Sequence, residues 1–190
     1  DFNTAVGALA LFANTTADSN TAVGDSALKA NTTGAQNVAT GTCALNANTT
    51  GANNAAFGFC ASAAGTTANL NTAIGNFALK VSQNGCKNTA VGYQSMFDST
   101  SAECNTSLGA YSLTNNTTAN LNTAIGTCSM YTNTTGADNT AVGTNSLGAN
   151  TTASNNVAIG YVALALNTTG TSNVAVGAGS LDANTTASGN

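Results

Sequence analysis

The chain has 190 residues with three Lys, no Arg, seven Asp and Glu, a net charge of -4, and neither His, Pro nor Trp. So few cations cannot neutralise phosphates, which excludes nucleic-acid binding through the backbone and attachment to acidic headgroups. Without His there is no imidazole base, and no Ser-His or Cys-His pair can be built. No apolar run approaches the ~18 residues of a membrane span, so membrane insertion is not expected.

Ala, Thr and Asn make up about half of the chain and large aliphatic residues are sparse. In an irregular sequence that composition would argue disorder, so order has to come from regularity. The regularity is a 17-residue repeat. Asn stands at Asn3, Asn20, Asn37, Asn54, Asn71, Asn88, Asn105, Asn122, Asn139, Asn156 and Asn173, and Gly follows four residues after each. The consensus is Asn-Thr-Ala-Val-Gly-x-x-Ala-Leu-x-x-Asn-Thr-Thr-Gly/Ala-x-x. Residues 1–190 therefore read as a single repeat array. Asp1-Phe2 complete a preceding copy and Asn190 opens another, as in a segment of a longer fibre.

The elements follow in order within each copy. The second and fourth positions (Thr4 and Val6, Thr72 and Ile74, Val157 and Ile159) are β-branched, which predicts a short strand with these residues facing inward and the third-position Ala facing out. The Gly after the strand and the Asn-Thr-Thr-Gly segment supply turn chemistry. The ninth position is Leu or Met in every copy except at Ser62, and forms a second wall. Two six-residue helices per repeat would be too short, and Thr, Asn and Gly form helices poorly. The expected fold is all-β, a parallel β-solenoid (β-roll or β-helix) of eleven 17-residue coils. At strand spacing it makes a rod about 53 Å long. Stacking puts the eleven first-position Asn in one column, where their amides can form a ladder, although turn preference alone would also favour Asn.

The third position is Ala ten times and Ser107 once, and the eighth is always Ala or Ser. On the outward reading, so invariant a small column predicts packing against another chain. A tight corner would make the same columns small without any interface.

The segments Asn-Val-Ala-Ile-Gly at 156–160 and Asn-Val-Ala-Val-Gly at 173–177, with Ala163 and Ser180 after them, resemble the head repeat of trimeric autotransporter adhesins. The 17-residue form with its Asn-Thr-Thr corner is also similar to arrays in phage-type tail fibres and other surface-fibre proteins. The adhesin repeat is about 14 residues. The resemblance implies a left-handed coil and a homotrimer.

No carboxylate pair is evident, and the Gly-Gly-x-Gly-x-Asp signature of calcium-binding solenoids is missing. Neither an enzymatic activity nor a cofactor or metal is expected. Cys43 and Cys60 share a repeat position in successive coils, where stacking brings their Cα atoms to a spacing that admits a disulfide. Cys86 and Cys104 are one coil apart with an offset of one residue, and Cys128 is left over. Disulfides would suit an oxidising compartment, whereas Cys as a small filler of a variable corner would need none. Asn14, Asn31, Asn48, Asn116, Asn133, Asn150, Asn167 and Asn184 satisfy the N-glycosylation pattern, and turn chemistry explains them equally without sugar. Adjacent corner Thr point different ways, which argues against a two-column ice-binding array.

The function these features imply is a structural segment of an extracellular or virion-surface fibre. It would self-associate as a homotrimer through the outward Ala column or end to end as a filament. The alternative is a receptor- or glycan-binding module of an adhesin head or tail fibre. Its contacts would be aromatics at the sixth, seventh and tenth positions: Phe59, Phe77, Tyr93, Phe97, Tyr111, Tyr131 and Tyr161.

Overall fold

The computed structural model describes residues 2–190, so Asp1 lies outside the described residues. Eleven three-residue strands recur once per coil: β1 (Thr4–Val6), β2 (Thr21–Val23), β3 (Val38–Thr40), β4 (Ala55–Phe57), β5 (Thr72–Ile74), β6 (Thr89–Val91), β7 (Thr106–Leu108), β8 (Thr123–Ile125), β9 (Thr140–Val142), β10 (Val157–Ile159) and β11 (Val174–Val176). They form one parallel sheet in sequence order. Every pairing sets a residue beside the one seventeen positions on, as in Thr72↔Thr89 and Ala73↔Ala90. The fold is a parallel β-solenoid.

Hydrogen bonding between coils continues beyond the strands. The ninth-position N–H donates to the eighth-position carbonyl of the next coil (Leu79 to Ser95, 3.0 Å), and the seventeenth donates to the sixteenth of the preceding one (Lys87 to Asn69, 3.1 Å). The thirteenth-position Thr adds its hydroxyl, as from Thr134 to the Thr151 carbonyl at 3.0 Å. Such bonding all round the coil orders a chain that has little apolar side chain to bury.

Each coil closes through two tight turns. One runs from the strand-ending Gly to the eighth residue (Ala78 N–H to Gly75 carbonyl, 3.2 Å), the other from the ninth to the twelfth (Ser82 N–H to Leu79 carbonyl, 3.2 Å). The Gly column is imposed by stacking as well as by conformation. At Gly75, where φ is +131°, an added Cβ would lie 2.5 Å from the Gly92 carbonyl oxygen of the coil beyond. The seventh, ninth and seventeenth residues are also left-handed, including Leu79 at φ 52° and Met96 at φ 51°. That conformation costs a non-glycine residue about 1–2 kcal/mol, so the packing of the ninth side chain has to hold it there.

The strand faces opposite to the sequence expectation. The third-position Ala and Ser107 point inward, with Ala22, Ala39, Ala73, Ala90 and Ala124 all 0% exposed, while the second and fourth positions form the outer surface. The physical reason is width. Across the interior the strand meets the Leu and Met of the ninth position, the eighth-position Ala or Ser, and the buried Asn of the first position. The gap that remains accepts a methyl group and rejects a β-branched side chain.

Candidate functional site

The interior carries two columns of Asn. In the first, each backbone N–H donates to the side-chain oxygen of the Asn one coil earlier, as from Asn88 to Asn71 at 2.9 Å and from Asn105 to Asn88 at 3.0 Å. Each side-chain amide turns back across its own coil to the fifteenth-position carbonyl, as from Asn88 to Ala102 at 2.7 Å. The column runs through Asn3, Asn20, Asn37, Asn54, Asn71, Asn88, Asn105, Asn122, Asn139, Asn156 and Asn173. Its principal link is main chain to side chain. Amide-to-amide bonds join some steps as well, such as Asn37 to Asn20 at 3.2 Å. These residues bind the coil to itself and to its neighbour, and offer nothing to a ligand.

The second column is made of the sequon residues. Asn31, Asn48, Asn116, Asn133, Asn150 and Asn167 are buried. Their amides donate to the carbonyl three residues on, as from Asn133 to Gly136 at 2.9 Å, and most donate also to the previous coil, as from Asn150 to Asn133 at 2.7 Å. A glycan would have to leave from this same nitrogen, through the wall of the rod, so of the two readings the sequence left open, the buried amides at these six positions favour turn chemistry without sugar. Asn14 and Asn184, in the end coils, are only partly buried.

All five thiols are free. Cys43 and Cys60 stack in successive coils, and burial pushes the Cys60 thiol up, helped by the charge and hydrogen bond of Cys43 and opposed by Lys80. Cys104 donates its N–H to the Cys86 carbonyl at 3.1 Å. The Cys86 sulfur accepts from the Asn69 N–H and donates to the Asn84 carbonyl, both at 3.3 Å.

Two surface features remain. The outer face of the sheet is a column of Thr, Val and Ala beside a column of Val, Ile, Leu, Phe and Thr, with no charged residue at any of these positions. Ile74, Leu108 and Ile159 are 41%, 46% and 40% exposed, although coils stack on both sides of each. Sequence reasoning placed these residues in the core and so missed this face.

The second feature is an aromatic row across the middle coils. Phe59, Phe77, Tyr93 and Tyr111 meet edge to face, with ring centroids 5.2, 6.2 and 5.3 Å apart along the row. Phe97 joins at Phe77, 6.4 Å away, and the Lys80 ammonium sits 5.1 and 5.2 Å from the two ring centres. Tyr131 and Tyr161 are exposed elsewhere on the rod. Among the described residues there is no surface pocket and no cluster of His, Cys, Asp and Glu that could hold a metal ion.

No family model, no curated protein and no solved structure matches this chain.

Proposed function

We propose that the chain is a structural segment of an extracellular fibre, and that its rods associate side by side through the outer face of the sheet, as a homotrimer. The observation that supports this is the uncharged double column of Thr and aliphatic side chains along all eleven strands. A solvated outer column would tolerate Lys, Asp or Gln at many coils, and burial of these aliphatics against a second copy removes the exposed apolar surface. The Ala column has no part in the contact, because it is already enclosed within one chain. Sedimentation of the parent and of Val91→Glu with Ile125→Glu tests the proposal. A trimeric parent and a folded, monomeric variant are expected, since the substitutions would bury carboxylates without partners only in the assembly. A parent that sediments as a monomer at all concentrations would remove the self-association.

The aromatic row favours a second reading, a module that recognises a surface glycan. Its rings share one side of coils that begin at Asn54, Asn71, Asn88 and Asn105, and sugars stack on such rings. Glycan-array binding that Tyr93→Ala and Tyr111→Ala abolish would support it, and no binding by the parent would leave the structural segment alone.

A further inference from the structure

The sequon column is interrupted in three successive coils. Where the repeat calls for Asn, the chain has Gly65, Ser82 and Ser99, and in the first of these coils Ser62 also replaces the ninth-position Leu. In these coils the hydroxyls of Ser62, Ser82 and Ser99 are buried with no hydrogen-bond partner, and so is Asn48 Oδ1 in the coil just before them. All four belong to residues no more than 2% exposed. Leaving a buried polar atom unpaired is unfavourable, and four in neighbouring coils point to a shared partner.

The missing amides define that partner. In an intact coil, the fifteenth-position carbonyl accepts from two Asn: Gly34 from Asn20 at 3.0 Å and from Asn31 at 2.9 Å. In the interrupted coils Ala68, Gly85 and Ala102 each accept a side-chain bond only from the first-position Asn (Asn54, Asn71 and Asn88). Each coil thus lacks one two-hydrogen donor, and each also holds a Ser hydroxyl that lacks an acceptor. Water has two hydrogens to donate and two lone pairs to accept, and it needs two to four polar partners to occupy an interior site. The side chains there, Ser for Leu and Gly or Ser for Asn, are smaller than those the repeat places at the same positions.

We propose that a file of three ordered waters, one per coil, completes the broken ladder between Asn48 and Asn116. The first donates to the Ala68 carbonyl and to Asn48 Oδ1 and accepts from Ser62. The second and third donate to the Gly85 and Ala102 carbonyls and accept from Ser82 and Ser99.

A high-resolution crystal structure of the chain tests the file directly. Three well-ordered density peaks within hydrogen-bond distance of these groups are expected. Solvent-free density there, with the three hydroxyls turned to backbone carbonyls, would overturn the proposal. In solution, water magnetic relaxation counts long-lived internal waters. Ser82→Asn with Ser99→Asn should remove two of them and raise the melting temperature, because the new amides supply the same bonds. An unchanged count in a folded variant would also overturn it. The crystal measurement on the parent stands whether or not the variant folds.

Discussion

Single side chains decide which way the strand faces. Ala90 lies in the core and the neighbouring Val91 on the surface, so adding bulk to the two should have unequal effects. Ala90→Leu is expected to lower stability by about 1–3 kcal/mol or to unfold the middle coils, while Val91→Leu stays within about 0.5 kcal/mol in the monomer; urea unfolding followed by circular dichroism measures both. The ladder can be probed at Asn88, which accepts from Asn105 and donates to Ala102. Asn88→Asp keeps the acceptor, and only its protonated form keeps the donor. Burial raises the carboxyl pKa in the folded state above its unfolded value, so the folded state holds its proton to higher pH. The variant should therefore be nearest to the parent at about pH 4 and fall away as pH rises towards about pH 7, visible as a shrinking urea midpoint. A midpoint difference independent of pH would show that the side chain is not enclosed.

The coil is the structural element, and its corners set what the surface can carry. Because the buried sequon nitrogens are occupied by hydrogen bonds, expression in a glycosylating host should give folded rods whose Asn133 and Asn150 are unmodified, as peptide mass spectrometry would read. Glycan at these sites in correctly folded material would mean that the corner opens. The strand-ending Gly is equally constrained. Gly75→Ala places a methyl group against the Gly92 carbonyl at a backbone angle that side chains avoid, and should cost about 1–3 kcal/mol from conformation alone, before the clash is counted. Thermal denaturation compares it with a neutral surface change such as Thr127→Ser.

For the whole molecule, each coil contacts only its neighbours, so the rod is divisible in units of seventeen residues. Removing residues 122–138 joins Leu121 to Asn139 and restores every column. That deletion should give a folded rod shorter by one strand spacing, about 4.8 Å, in solution scattering. Removing sixteen residues from the same place shifts Asn, Gly and Leu out of their columns and should destroy the fold beyond the junction.

The period, the parallel stacking, the turn at the Gly and the Asn column were all legible in the residues, because each follows from one spacing repeated without an insertion and from chemistry that Asn and Gly carry locally; the second turn, expected in Asn-Thr-Thr-Gly, is instead closed one step earlier, from the ninth residue to the twelfth. The direction of the strand was read the wrong way round from Val, although Asn carried the signal for the right one. Alternation places the third position on the same side as the first, so an internal Asn puts Ala inside and Val outside. The larger side chains suggested the opposite, since the usual link between size and burial fails when a coil is too narrow to enclose them. Tertiary packing alone decided that Leu79 and its column take a left-handed conformation, that the sequon amides are buried, and that Phe59, Phe77, Tyr93 and Tyr111 meet in one row. These features depend on how far the opposite wall of the coil stands from the strand, a distance that residue spacing along the chain does not specify.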